Sequence, residues 1–166
     1  MPEFQPEAII SVLAAHGIDG VFIGGFAAYL QGSPFPTGDV DLTPATDKDT
    51  LTRLSAALYE LDAKIRAVEL DEPLPFHHDA TSLAASRMWN LTTRFGDLDI
   101  SFVPSGTTGY DDLKRDAVTL VLGDTTVRLA SLADIVRSKE AAGRDKDRRA
   151  LPVLRELLAR QRPKRV

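Results

Sequence analysis

Cysteine is absent from the 166 residues. Disulfides and thiolate zinc sites are therefore excluded, and a reducing cytoplasm is the expected compartment. Long apolar runs are absent too. No stretch approaches the roughly 20 residues that a membrane helix needs, so no membrane partner is expected. The opening residues, Met1-Pro-Glu-Phe-Gln5, lack a basic segment leading into an apolar one, which predicts no secretory leader. Internal repeats and low-complexity tracts are missing as well. What remains is a globular composition, 43% hydrophobic and 27% charged. It suits one domain, or one domain with a small helical appendage.

The net charge of −4 is unevenly spread. Residues 137–166 hold eleven of the twenty Lys/Arg but only four of the twenty-four Asp/Glu. An acidic body thus carries a basic C-terminal part. That part reads either as a solvated charged helix or as a contact surface for a phosphate-rich partner.

Periodicity predicts an α/β or α+β chain with a central mixed sheet flanked by helices. Helices are expected over 5–16, 26–31, 47–62, 80–86, 109–116, 131–143 and 145–161. Strands are expected over 19–23, 39–43, 88–95, 98–103, 117–122 and 125–129. A Gly/Ser/Pro-rich loop spans 32–38 and a Pro-broken loop spans 71–79. Gly96-Asp97 and Gly123-Asp124 read as hairpin turns. Ser131 opens a helix, with Asp134 completing an imperfect capping box. The tail from Arg162 to Val166 reads as loose.

The chemistry concentrates in Ile23-Gly-Gly-Phe-Ala-Ala28 and Thr37-Gly-Asp-Val-Asp-Leu42. On a strand, Val40 and Leu42 point to the core, and Asp39 and Asp41 point together to the other face. Two adjacent carboxylates raise each other's pKa unless a cation lies between them. Hard oxygen ligands suit Mg²⁺, or Mn²⁺, with coordination room left for phosphate oxygens. Gly24-Gly25, ending a strand and opening a helix, lets backbone N–H groups approach an anion closely. Asp99 alternates with Leu98, Ile100 and Phe102, so it faces away from the core on a later strand. Asp97 is explained by turn chemistry. Three carboxylates permit the division of labour of phosphoryl transfer: metal binding by all three, and proton acceptance by the third.

Leu132, Ile135, Val136 and Lys139 fall on one helical stripe, which places Lys139 inward. A buried ammonium is costly unless it meets an anion. A triphosphate would supply one; otherwise the lysine snorkels out at the helix end. Asp147 is expected to pair with Lys139 or Arg144 as structural support. His77-His78 reads as a solvent-exposed pair, and Trp89 as core. The hydroxyls of Ser33 and Thr37 flank the glycine loop, where they cap turns or bind phosphate.

Gly24-Gly25, Asp39-Val-Asp41 and Asp99, in that order, resemble the nucleotidyltransferase superfamily of the DNA polymerase beta type. Within it the chain looks most like the small bacterial AbiE-type and MenT-type toxins. Thr37, two residues before the first Asp, and Lys139-Glu-Ala-Ala-Gly-Arg-Asp-Lys-Asp147 support that finer likeness. The resemblance implies a nucleotidyltransferase fold, with a core over 1–130 and a helical segment over 131–166 packed on it. It implies an enzyme that moves a nucleoside monophosphate from an NTP to an acceptor and releases pyrophosphate. Asp39, Asp41 and Asp99 would be catalytic and hold the metal. Gly24, Gly25, Thr37 and Lys139 would bind the NTP. It further implies a toxin acting on RNA, such as the tRNA 3′ end, with a cognate antitoxin protein as partner. In MenT-type relatives the residue matching Thr37 is a site that the antitoxin can phosphorylate. Two alternatives stay open: an antibiotic-modifying enzyme with a small-molecule acceptor, and an inactive partner-binding module.

Overall fold

The computed structural model describes residues 2–161; the expected loose tail lies outside them. The chain begins with α1 (Pro6–Ala15), whose proline sits in the first turn, where its missing N–H costs nothing. Ile9, Ile10 and Leu13 are its buried stripe. β1 (Gly20–Ile23) leads directly into α2 (Gly24–Leu30). The helix thus includes both glycines and starts earlier than the expected residue 26. β2 (Asp39–Pro44) follows the glycine-rich loop. α3 (Lys48–Glu60) is capped by Asp47, whose side chain accepts from the Thr50 amide at 3.0 Å.

β3 (Lys64–Ile65) has no counterpart in the sequence pattern, because two residues are too few to show a period. α4 (Ala80–Ala84), β4 (Met88–Thr93) and β5 (Gly96–Ser101) come next. α5 (Tyr110–Arg115), the hairpin β6 (Val118–Leu122) and β7 (Thr125–Leu129), and the helices α6 (Leu132–Ala142) and α7 (Asp145–Gln161) complete the described chain.

The seven strands form one mixed sheet in the order β3-β4-β5-β2-β1-β7-β6. β2 runs parallel to β5, and β1 parallel to β7; the other neighbours are antiparallel. Val40 and Leu42 are buried on one face. There Leu42 and Phe22 share a small cavity of about 190 Å³ with Ile10 and Leu13 of α1. The opposite face of β2 is left to Asp39 and Asp41.

Two expectations are corrected. The β4–β5 turn is Arg94-Phe95, not Gly96-Asp97, so Asp97 lies within β5. Gly96 adopts φ +110°, and a Cβ there would fall 2.8 Å from Cδ2 of Phe4. The glycine is needed for this close approach rather than for the turn itself. The histidine pair is also not jointly exposed. His78 is buried, stacks on Tyr59 with centroids 4.1 Å apart, and shares a 2.8 Å hydrogen bond with Ser55. Burial pushes its pKa down, which keeps the ring neutral. Trp89 is partly buried; it packs on Phe76 and donates to the Leu83 carbonyl at 3.1 Å.

Candidate active site

Parallel pairing of β2 with β5 sets Asp41 opposite Asp99 and Asp39 opposite Asp97. All four carboxylates therefore leave the same sheet face. One oxygen each from Asp39, Asp41 and Asp99 lies within 4.8 Å of the other two. Asp97 is drawn aside: its Oδ2 meets Arg66 Nη1 at 3.0 Å. The other guanidinium nitrogen, Nη2, donates to Asp99 Oδ1 at 2.8 Å.

The electrostatics match this crowding. Asp41 is pushed up to about 7, mainly by burial and then by the charges of Asp39 and Asp99. Asp99 is raised to about 6, again mainly by burial; Arg66 opposes the shift and Asp39 adds to it. Three converging carboxylates held against their own repulsion form an all-oxygen donor set. That set fits a hard divalent cation such as Mg²⁺ or Mn²⁺.

These groups lie in a cleft of about 800 Å³, which Gly24, Gly25, Thr37 and Lys139 also line. Gly24 adopts φ +77°, and a Cβ there would collide with Asp41 Oδ2. Thr37 Oγ1 donates toward Asp39 Oδ1 at 3.2 Å and toward the Asp39 carbonyl at 3.1 Å. The threonine thereby steadies the first carboxylate. Ser33 is buried, and its Oγ accepts from the Phe35 amide at 3.3 Å, a turn-capping role. The structure thus brings all seven residues singled out in the sequence to one cleft.

No protein-family model and no curated protein matches this chain. Solved structures do match. The lincosamide antibiotic adenylyltransferase LnuA, bound to lincomycin, superposes with a TM-score of 0.61 at 12% identity. The match spans 95% of this chain and 99% of that one. A candidate nucleotidyltransferase from Thermotoga maritima, TM1012, gives a TM-score of 0.55 at 16% identity, over 96% and 98% of the two chains. The chain has the nucleotidyltransferase fold.

Within this nucleotidyltransferase fold, sequence reasoning missed two cations. Arg66 directly follows the two-residue β3, and its amide donates to the Asn90 carbonyl at 2.9 Å. Only the sheet places it beside Asp97 and Asp99, and no local pattern announces it. Lys146, at the start of α7, lines the cleft, and its field, like that of Lys139, lowers the Asp41 pKa.

Asp147 is fully buried. It accepts from Lys139 Nζ at 3.3 Å and from Arg144 Nε at 2.7 Å. Burial raises its pKa, but these two cations outweigh that and keep it below the usual carboxylate range. The pairing explains how an inward lysine is tolerated. Lys139 meets an internal anion on one side and the cleft on the other.

A pH dependence follows. The carboxyl of Asp41 has an unfolded-state pKa near 3.8 and a folded value of about 7. The folded protein therefore binds the extra proton between these values. Stability of the metal-free protein is expected to fall as pH rises from about 4 to about 7, then level off. Magnesium is expected to raise Tm more at pH 8 than at pH 5, because it competes with protons for the same oxygens. Equal shifts at both pH values, measured by calorimetry, would rule out cation binding at this cluster.

Proposed function

We propose that this chain is a metal-dependent nucleotidyltransferase that transfers a nucleoside monophosphate from an NTP to a hydroxyl acceptor. The observation that carries this reading is the convergence of Asp39, Asp41 and Asp99 on a cleft that also presents Lys139. Asp39, Asp41 and Asp99 would hold the cation. When bound, Mg²⁺ would neutralise the phosphates and favour departure of pyrophosphate. The Gly24 and Gly25 backbone N–H groups would take phosphate oxygens; the absent Cβ leaves that approach open at Gly25, while at Gly24 its place is held by Asp41. Lys139 and Lys146 would offset the triphosphate charge from the α6–α7 side. Thr37 would hold the Asp39 carboxylate in aim.

Asp99 would accept the proton of the attacking hydroxyl. Its raised pKa brings it closer to the proton affinity that a base needs near neutral pH. Arg66 is the positioning residue here. It holds Asp99 through Oδ1 at 2.8 Å. An enzyme that draws on cellular NTP would work in the cytoplasm.

Two acceptor classes suit this chemistry. RNA, such as a tRNA 3′ end, would rest on the basic C-terminal part, and a toxin with an antitoxin partner would then be expected. Among the described residues, several of these cations already have acidic partners. Arg137 pairs with Asp112 and Asp134, Arg155 with Glu140, and Arg160 with Glu156. Each such pair weakens the pull of its cation on a nucleic-acid backbone. A small-molecule acceptor needs only the cleft. The fold likeness to a lincosamide adenylyltransferase along 95% of the chain supports it further.

The test is incubation with α-labelled NTPs and Mg²⁺, offering total tRNA in one arm and lincosamides or aminoglycosides in the other. Label is expected on a small molecule. Label confined to tRNA would restore the toxin reading. Absence of NTP binding by titration calorimetry, together with tight binding to a protein partner, would favour an inactive module.

Lys139→Ala is expected to raise KM for NTP roughly 10- to 100-fold, the equivalent of one charge-assisted contact. The order of preference among acceptors should not change. A reordered preference in competition assays would remove Lys139 from the NTP side.

A further inference from the structure

The walls of the cleft differ in chemistry. On the α6–α7 side stand Lys139, Arg144, Lys146 and Arg149. On the β4–β5 side, beyond Asp99, stand Met88, Asn90, Ser101, Val103 and Pro104, none of them charged. Antiparallel register explains this grouping: Met88 lies opposite Ser101, and Asn90 lies opposite Asp99. Residues directly opposite share a face, with Cβ atoms about 5 Å apart. The Asn90 amide therefore stands beside the Asp99 carboxylate on the same sheet face.

Met88 is 51% exposed, Val103 is 38% exposed, and Phe35, across the glycine-rich loop, is 41% exposed. Scattered exposed apolar residues need no explanation. Three that line one cleft beside a carboxylate cluster mark a surface built for contact.

We propose that the β4–β5 wall is the acceptor subsite, and that it takes a small molecule combining a hydroxyl with an apolar face. This rests on the nucleotidyltransferase reading above. Met88 and Val103 bury the apolar face, with Phe35 closing over it. Asn90 hydrogen-bonds a polar group next to the reacting hydroxyl. The hydroxyl oxygen attacks the α-phosphorus and forms a new P–O bond. The bond from that phosphorus to the bridging oxygen breaks, pyrophosphate leaves with the electron pair, and the hydroxyl proton passes to Asp99. A polynucleotide would bring phosphates onto this wall, whose lining beyond Asp99 holds no cation and whose neighbour Arg66 is already paired with Asp97 and Asp99.

The experiment supplies NTP, Mg²⁺ and four acceptors: lincosamides, alkyl glycosides, aminoglycosides and total tRNA. Lincosamides and alkyl glycosides are expected to carry the label, while the strongly polar aminoglycosides and tRNA are not. Met88→Glu is expected to raise KM for the labelled amphiphile at least tenfold, with KM for NTP unchanged. Asn90→Ala is expected to do the same and offers a second variant of minimal bulk. NTP bound normally with no amphiphile labelled, or with aminoglycosides or tRNA labelled instead, overturns the subsite. So does a Met88→Glu enzyme whose acceptor KM does not move. Failure to bind NTP in the presence of Mg²⁺ would instead overturn the underlying nucleotidyltransferase reading.

Discussion

Asp41→Asn is expected to abolish nucleotidyl transfer and, at the same time, to raise the melting temperature of the metal-free protein. The two effects share one cause. Asp41 is desolvated and faces Asp39 and Asp99, which raises its pKa to about 7. Above that pH its charge is held against an unfavourable field, at a cost on the order of a few kcal/mol. Asparagine is nearly isosteric and neutral, so the repulsion disappears while the packing stays. A gain of that size in a chain of this length corresponds to several degrees of Tm. The same change removes one of three oxygen ligands and adds N–H groups that repel a cation. Loss of such a group typically lowers turnover by ~10²–10³, or more where it also costs the cation. The sign can be checked internally. At pH 5 the wild-type Asp41 is protonated in the folded state, so the stability difference should shrink there. A variant that keeps its activity, or one that is less stable than wild type at pH 8, would contradict the electrostatic account.

Much of this site was legible because strands have period two. Val40 and Leu42 had to be buried if the strand was real, and their neighbours then had to face outward together. Asp99 followed from the same alternation among Leu98, Ile100 and Phe102. The alternation does not say which strands lie side by side. That depended on β2 pairing in parallel with β5, across more than fifty intervening residues. Arg66 was invisible for a related reason. It follows a two-residue strand, and its role exists only because β3 and β4 bring it over β5. Asp97 reads as a turn residue because a Gly-Asp pair is a strong local turn signal. The chain turns at Arg94-Phe95 instead, where Thr93 Oγ1 accepts from the Phe95 amide at 3.1 Å and donates to the Gly96 carbonyl at 2.7 Å. His78 reads as exposed because nothing in loop 71–79 reveals that Tyr59 and Ser55 of α3 receive the ring.

The two glycines read as one motif in the sequence, yet they are expected to respond to alanine in opposite ways. Gly24 has φ +77°, a conformation that costs an L-residue roughly 1 kcal/mol or more. Its missing Cβ is also the space that Asp41 Oδ2 occupies. Gly24→Ala must therefore displace the central carboxylate or push β1 away from β2. Activity should fall by at least ~10², and stability should fall by a few kcal/mol. At Gly25 a Cβ would meet only Thr37, its Oγ1 at 3.5 Å and its Cβ at 3.7 Å, both ordinary contacts. Gly25→Ala should fold normally and bind Mg²⁺ as the wild type does. If Gly25 serves as a phosphate cradle, its methyl group will raise KM for NTP while leaving Tm and metal affinity in place. Parallel thermal denaturation and metal titration of the two variants separate the roles. Two equally destabilised variants would mean that the pair merely shapes a turn. A Gly24→Ala protein with unchanged metal affinity would mean that Asp41 does not depend on the space which that glycine leaves open.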